Sequence, residues 1–189
     1  MKLTLTKRTS MTKGAIKAIR REGNIPAVIY GLGQDVEKVT VNGSEFHAIL
    51  RKLSKGQLPT AVFELHVDGK PKKAIIKDIQ YNVTSYSVEH IDFALLAHDQ
   101  HVTVNVPIQV LGVAECPGVK LGGTFRQVIR SLKVSCLPKD IPAEFQIDIR
   151  DLNIAQSKRL SDIAIPSNVR PLAQMNEVAV VIAKGKVVA

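Results

Sequence analysis

Alternation of apolar and polar residues predicts short strands along the first half of the chain, and a helical period interrupts them twice. Leu3 and Leu5 share one face of the first strand, whereas the run IPAVIY is apolar throughout, as in a buried strand. The strands predicted in this half span residues 2–7, 25–30, 36–41, 60–67, 70–81 and 88–96, and the helices span residues 12–22 and 42–53.

The second helix has a clear start signal. Asn42 is a suitable N-cap, and Glu45 follows three residues later, as in a capping box. The apolar residues that follow at helical spacing are Phe46, Ile49, Leu50 and Leu53. One face of this helix would therefore pack on the strands. Several short strands combined with two short helices predict a small β-barrel or a strongly curved mixed sheet.

The second half of the chain predicts another β-rich unit. Strands are expected at Val102–Leu111, Thr124–Cys136, Ala143–Asp148 and Glu177–Ala183, and a short helical turn at Leu152–Leu160. The predicted fold class is mainly β with short helices (β/α+β). It comprises an N-terminal small β-barrel domain at residues 1–95 and a C-terminal β-rich domain at residues 96–189.

Positive charge is concentrated near the start of the chain. Residues 1–30 carry seven bases and one acid, whereas residues 31–96 carry eight of each, and residues 97–189 carry eleven bases and eight acids. A local cluster of one sign is the electrostatic signature of a polyanion site, and nucleic acid is the usual polyanion. We therefore expect a nucleic-acid interface in the first thirty residues.

The overall composition limits what kind of binder this is. Apolar residues make up 45% of the chain, enough for packed cores, so wholesale disorder is not expected. Aromatic residues make up only 4%, and there is no Trp, which argues against stacking one base after another on aromatic platforms. Contacts to phosphates, 2′-hydroxyl groups and base edges are favoured instead.

Compartment signals favour a cytoplasmic protein. The opening MKLTLTKR contains no apolar run of signal-peptide length, and no stretch approaches the roughly 18–20 apolar residues of a membrane span. The two cysteines, Cys116 and Cys136, suit a reducing compartment, and a disulfide between them is not expected. No membrane partner is predicted.

The first helix is the main candidate for binding. Its bases fall within about 100° of arc on a helical wheel, and its apolar residues occupy the other side. The bases are Lys13, Lys17, Arg20 and Arg21, and the apolar residues are Ala15, Ile16, Ala18 and Ile19. Gly14 near the helix start would let a phosphate or sugar approach the backbone. The alternative is a solvated basic face, although such faces usually mix both signs.

Three further side chains are candidates. Arg8 follows the first strand, and its guanidinium fork can bind guanine or phosphate through two hydrogen bonds; a surface ion pair is the alternative. In the run HIDF, strand alternation points Ile91 and Phe93 inward, so His90 and Asp92 face outward together. The carboxylate could accept from base amino groups, although a simple His–Asp surface pair would have the same pattern.

Several segments together resemble one protein family. They are Arg8, the run from Lys13 to Arg20, IPAVIYG, KDIQ and HIDF in the first half, and VNVPIQV, GVKLGG and CLPKDIP in the second. The chain is similar over nearly its whole length to the bacterial large-subunit ribosomal protein that binds 5S rRNA. The similarity is to the long two-domain form, that of the general stress protein Ctc.

The resemblance implies a non-enzymatic RNA binder associated with the ribosome. In that family the N-terminal barrel binds the loop E region of 5S rRNA, mainly across the minor groove, which in RNA is wide and shallow. The RNA-contacting residues it implies are Arg8, Lys13, Gly14, Lys17, Arg20, Tyr30, Lys77, His90 and Asp92. Lys17 stands where the short form has Arg, and Lys77 where it has Gln, which puts fine discrimination at those contacts in doubt.

The expected partners are 5S rRNA, the large ribosomal subunit and neighbouring ribosomal proteins, and the partner of the second domain stays open. An enzyme is disfavoured because the sequence contains no GxSxG, HExxH or P-loop motif. No metal, cofactor or small-molecule substrate is expected. Two alternatives remain open: a protein-interaction or chaperone-like stress module that binds nucleic acid only non-specifically, and a generic DNA binder.

Overall fold

The computed structural model describes the chain except for residues 9–11, 32, 55, 68, 98 and 185–189, and it leaves the side chains of Gln34 and Lys70 undescribed. The chain divides into two units, residues 1–102 and 103–189, each with its own core. Both units are mainly β, as predicted. The dipeptide Asp68-Gly69 between two predicted strands also predicts a hairpin turn, and its first residue lies outside the described part of the chain.

The first unit is a closed barrel of six strands in the order β1-β3-β2-β6-β5-β4. Its strands are β1 (Lys2–Lys7), β2 (Ile25–Gly31), β3 (Gln34–Val41), β4 (Val62–Val67), β5 (Lys70–Tyr81) and β6 (Val88–Leu95). The β1–β4 and β2–β6 pairs are parallel, and the other neighbours are antiparallel. The small β-barrel expected from the sequence is thus confirmed, and its closure leaves no exposed sheet edge.

Three phenylalanines form the centre of the barrel core. Phe46, Phe63 and Phe93 are fully buried, and the rings of Phe63 and Phe93 meet edge to face at 6.2 Å. Phe46 comes from helix α2 (Gly43–Lys52), whose apolar face also packs Ile49 and Leu50 against this core. A 3-10 turn at Leu58–Thr60 leads from this helix into β4.

The start of α2 follows its predicted cap only in part. The Asn42 side-chain oxygen accepts hydrogen bonds from the Ser44 and Glu45 N–H groups at 2.9 and 3.3 Å. The Glu45 carboxylate accepts instead from the Thr4 N–H of β1, at 3.5 Å. The acid therefore links the helix to a barrel strand rather than completing a capping box.

The second unit contains two sheets, ordered β10-β7-β9-β12 and β11-β13-β8. Their strands are β7 (Val102–Leu111), β8 (Thr124–Gln127), β9 (Ser131–Cys136), β10 (Phe145–Asp148), β11 (Ser157–Arg159), β12 (Arg170–Pro171) and β13 (Val178–Ala183). A one-turn helix α3 (Pro117–Lys120) precedes β8, and a 3-10 turn at Leu160–Asp162 follows β11.

The prediction of one strand over Thr124–Cys136 was wrong. The chain forms β8 in one sheet and then crosses to β9 in the other. At the crossing, the N–H groups of Val128 and Ile129 both donate to the Ala179 carbonyl. Alternation of exposed and covered residues shifts by one position at this corner, because Arg130 and Ser131 are both exposed. The sequence shows the shift only as two adjacent apolar residues followed by two adjacent polar ones, without Gly or Pro, and the one-strand prediction overlooked it.

The predicted helical turn at Leu152–Leu160 was also wrong, because this segment ends in strand β11. Ala155 adopts a left-handed backbone with φ of 67°, which interrupts any right-handed helix. Strand β12 and helix α3 had not been predicted, since two and four residues are too few to show a period. Cys116 and Cys136 are both buried and free, and the Cys116 thiol donates to the Leu152 carbonyl.

Replacing Gly43 by Ala is expected to destabilise the barrel. A methyl group at Gly43 would collide with the carbonyl oxygen of Gly23, a main-chain atom that cannot rotate away. Overpacking of this kind costs about 1–3 kcal/mol, so a thermal melt followed by circular dichroism should shift down by several degrees. Gly14→Ala is the matched control, since an added methyl there meets nothing within 4 Å. An unchanged melting temperature for Gly43→Ala would show that the Gly23 carbonyl yields without cost.

Candidate nucleic-acid interface

The outer face of three adjacent strands carries the polar residues that the sequence singled out. Tyr30 lies on β2, His90 and Asp92 lie on β6, and β2 and β5 flank β6 in the barrel. In register, Asp92 stands between Val28 of β2 and Asp78 of β5. Ile91 and Phe93 point into the core, so the predicted alternation along HIDF is confirmed.

His90 and Asp92 form a close pair on this face. Nδ1 of His90 lies 2.8 Å from Oδ1 of Asp92, and their side chains are only 21% and 30% exposed. A hydrogen bond from Nδ1 to the carboxylate orients the imidazole and leaves Nε2 as the remaining nitrogen for another contact. The carboxylate keeps further lone pairs that can accept from a partner.

Tyr30 is half-buried beside the same carboxylate. Burial raises the pKa of its hydroxyl above the usual value, and the negative charges of Asp92 and then Asp78 raise it further. The phenol therefore stays protonated at neutral pH, as a donor as well as an acceptor. Tyr30 is thus a polar member of this face and not only a core side chain.

Two β-bulges shape the β5–β6 pair. The register shifts between Ile76 and Asp78, so Lys77 is the extra residue on β5, and it shifts again after Gln80, so Glu89 is the extra residue on β6. A bulge residue drops out of the ladder, which leaves its carbonyl available for another donor. The Glu89 carbonyl accepts from Arg20 Nε at 3.2 Å and from Nη2 at 3.0 Å. Arg20 thus connects the basic helix to the strand that carries His90.

Helix α1 (Lys13–Arg21) presents the predicted basic face. Thr12 caps it, with Oγ1 accepting from the Ala15 N–H at 3.4 Å. Lys13, Lys17 and Arg21 are exposed, and none pairs with an acid among the residues that the structure describes. The like charges of this face are therefore uncompensated within the described part of the chain.

The opposite side of α1 packs less tightly than predicted. Ala15, Ile16 and Ile19 are only half-buried, Ala18 is exposed, and no residue of the helix is fully buried. Two of these four side chains are alanines, which bury little surface, so the apolar face of the helix is too small to join the barrel core. The Arg20–Glu89 contact consequently matters for holding the helix in place.

Arg8 brings a second guanidinium to the same place. Its N–H donates to the Lys38 carbonyl at 3.1 Å, which extends the strand pairing past the end of β1. Its Nε is buried and has no hydrogen-bond partner in the described structure. Burial lowers the pKa of Arg8, and the nearby charge of Arg20 lowers it further. Two cations therefore approach each other with a buried donor left unsatisfied.

Gly14 lies on the exposed side of α1, where a Cβ atom would meet no other group of the protein within 4 Å. Glycine within a helix costs about 0.5–1 kcal/mol relative to alanine. No packing among the described residues requires this glycine, which is consistent with close approach of an external group to the backbone.

The structure gathers most of the predicted residues and adds two. Tyr30, His90 and Asp92 lie on the β2–β6–β5 face, and Arg20 contacts the Glu89 carbonyl at its edge. Arg8 follows β1 and lies near Arg20. Lys77 is exposed on the β5 bulge, and Lys13, Gly14 and Lys17 extend along the helix. Asp78 and the Glu89 main chain were missed. Nothing in the sequence marks a bulge, although Asp78 is the acid of the KDIQ motif and could have been noticed.

Other kinds of site receive no support from the described residues. Among them, no group of three or more His, Cys, Asp or Glu side chains is arranged to hold a metal ion. Within the same part of the chain, none of the helices combines the length and apolarity needed to cross a bilayer.

Comparison with known proteins identifies the family. Residues 3–93 match the family model described as the Ribosomal L25p family, and residues 101–186 match that of ribosomal protein TL5, C-terminal domain. Proteins named large ribosomal subunit protein bL25 are 44% identical in Chlamydia abortus and 42% identical in Chlamydia caviae and Chlamydia muridarum. Each alignment covers 97% of this chain and all of the relative.

The chain belongs to the ribosomal L25 family. The two matched models together correspond to the long two-domain form, as the sequence resemblance indicated. Family membership makes the chain a structural ribosomal protein rather than an enzyme, so that prediction is confirmed as well.

Asp92→Asn is expected to lower the pKa of Tyr30 without restoring the ordinary value. The substitution removes one of the two negative charges that raise it, while burial, the largest cause, remains. Tyrosinate absorbance can be titrated in a Tyr81→Phe/Tyr86→Phe background, where Tyr30 is the sole tyrosine. Asp78→Asn should give a smaller shift, and Asp140→Asn in the second unit should give none. An unaltered pKa in Asp92→Asn would mean that Tyr30 and Asp92 are not neighbours in solution.

Proposed function

We propose that this chain is a constituent of the large ribosomal subunit that binds 5S rRNA through helix α1 and the outer β2–β6–β5 face. The large-subunit assignment is supported by the relatives, which are named for that subunit. The choice of 5S rRNA, and of its loop E region, rests on the family resemblance of the sequence motifs. The contacts themselves are argued from charge and geometry.

The observation that carries the proposal is the approach of Arg8 and Arg20. A partly buried guanidinium with an unpaired Nε beside a second cation is unfavourable in the free protein. A phosphate group placed between them would relieve the repulsion and satisfy the donor at once. Arginine forks bind phosphate through two hydrogen bonds, which suits this arrangement better than lysine would.

The other residues supply complementary contacts. The lysines of α1 lie along one exposed face and suit phosphates on a backbone. The minor groove of RNA displays 2′-hydroxyl groups and base edges on a wide, shallow surface that the convex outer face of the barrel can approach. The Tyr30 hydroxyl and His90 Nε2 are suited to sugars and base edges, and the Asp92 carboxylate can accept from base amino groups.

We further propose that residues 1–95 hold the RNA-binding surface and that residues 96–189 form a separate domain facing other ribosomal components. The first thirty residues carry six charges of net excess, and residues 97–189 carry only three, consistent with a partly protein-facing surface. Lys17 and Lys77 keep or add positive charge relative to the short form. Affinity should therefore be retained, with less planar hydrogen bonding at those two positions.

Full-length protein should bind 5S rRNA tightly in a filter-binding or mobility-shift titration and resist competition by tRNA and duplex DNA. About four to six phosphate contacts predict a slope of log affinity against log salt of roughly −3 to −5. Arg20→Ala should weaken binding by roughly tenfold or more, and Lys13→Ala should reduce the slope by about one. Lys52→Ala, an exposed lysine on α2, is the control and should bind normally.

Equal displacement by every polyanion would contradict a specific 5S rRNA site. It would favour instead a stress or interaction module with only non-specific nucleic-acid affinity. Unchanged binding by Arg20→Ala at moderate salt would reject the role of the helix.

Gly14→Ala is expected to weaken RNA binding without destabilising the fold. The added methyl meets no protein atom and improves helix propensity, so the melting temperature should stay the same or rise. If a phosphate or sugar approaches the helix start, the same methyl obstructs it, and affinity for 5S rRNA should fall severalfold. A variant that is both more stable and fully active would show that no RNA group closely approaches Gly14.

A further inference from the structure

The hairpin turn that joins β5 to β6 carries the exposed aromatic residues of the barrel. Tyr86 is 80% exposed and Tyr81 is 49% exposed, and Val83 between them is 89% exposed. The chain has only five Phe and three Tyr residues, and every Phe of the barrel unit is fully buried. Scarce aromatic side chains are thus placed in water at one turn of the protein.

The turn is held by its own hydrogen bonds. The Asn82 side-chain oxygen accepts from the N–H groups of Thr84 and Ser85 at 2.9 and 3.0 Å. The Tyr86 N–H donates to the Asn82 carbonyl at 2.9 Å, and the Asn82 N–H donates to the Ser87 carbonyl at 2.8 Å. The ring is therefore presented from a preorganised backbone rather than from a loose segment.

Tyr86 occupies this position against its local preference. Its φ of 54° lies in the left-handed region, which Gly and Asn adopt readily and a bulky aromatic residue does not. Folding of the turn alone would favour either of those residues. A strained backbone that presents an exposed ring suggests that the ring contacts another molecule.

The turn is continuous with the proposed RNA face. Asn82 Nδ2 donates to the Glu89 carboxylate at 2.7 Å, and the main-chain carbonyl of that same Glu89 accepts from Arg20. Residues 81–88 contain no acid, so the turn does not repel phosphates. The base of the turn at Asn82 therefore adjoins Glu89, the residue that Arg20 of α1 contacts, and the turn extends from that point of the surface.

We propose that the Tyr86 ring stacks on an unpaired base of the RNA bound by the β2–β6–β5 face. This inference rests on the proposed function and extends its footprint. Every base offers a flat π-face, so one ring can add affinity without reading sequence. The residues around the ring, Thr84, Ser85 and Ser87, are small and hydroxylated. They suit sugar and phosphate oxygens better than the apolar core of a protein–protein contact.

The test compares two substitutions at Tyr86 in the full-length chain. Tyr86→Asn removes the ring but tolerates the left-handed backbone, whereas Tyr86→Phe keeps the ring and loses only the hydroxyl. Against 5S rRNA, Tyr86→Asn should weaken binding roughly 5- to 100-fold with an unchanged salt slope, because no charge is removed. Tyr86→Phe should bind as the parent does. Leu121→Ala, which truncates a 70% exposed apolar residue of the second unit, is the matched control.

The outcomes separate this inference from the function on which it rests. If Tyr86→Asn binds within twofold of the parent while Lys13→Ala is weakened, the RNA site stands and the stacking contact is rejected. Normal binding to free RNA combined with poor incorporation into large subunits would also reject it, in favour of a protein contact. Loss of binding in both Tyr86→Asn and Tyr86→Phe would assign the effect to the hydroxyl and not to the ring. Failure of the parent to bind 5S rRNA would overturn both proposals.

Discussion

Closure of the barrel determines which strand side chains of the first unit face outward, where a partner could contact them. Each strand is paired on both sides, so the register of its neighbours decides which side chains point inward and which form the outer surface. The two bulges act within this closed frame, since they re-aim Lys77 and free the Glu89 carbonyl without opening an edge. Helix α1 then attaches to the freed carbonyl through Arg20. A one-residue slip of β6 would turn His90 and Asp92 inward. The same slip would remove the Glu89 carbonyl as an acceptor for Arg20.

The electrostatics of the free protein are unfavourable where the proposed RNA surface lies. Arg8 is partly desolvated beside Arg20, and the lysines of α1 have no acidic partners among the described residues. Of the nearby carboxylates, Asp92 pairs with His90, and the charges of Asp92 and Asp78 both raise the pKa of Tyr30. Neither acid forms an ion pair with these bases among the described residues. A site arranged in this way favours a polyanion that also presents hydrogen-bond donors, which describes a base-paired RNA better than a uniform phosphate surface.

Periodicity predicted the strands and the two helices of the first unit, but it left a strongly curved mixed sheet open as the alternative to a closed barrel. It failed in the second unit, where the adjacent polar residues Arg130 and Ser131 were not read as a break between β8 and β9, and where β12 and α3 are too short to show a period. In the candidate site, the outward-facing His90 and Asp92 followed from alternation alone. The Glu89 carbonyl could not be predicted, because it is a main-chain group exposed by register, and Arg20 could not be assigned an acceptor without the fold.

Helix α1 contributes no fully buried residue, and the barrel core is built from the strands and from α2. The proposed binding residues of α1 are therefore largely separate from the residues that build the core, whereas Tyr30, His90 and Asp92 depend on the strand register. The charges of the helix can change during evolution, or by design, with little penalty to the stability of the scaffold. The helix is thus the part of the proposed surface that can vary most freely, while the apolar strands remain constrained by packing.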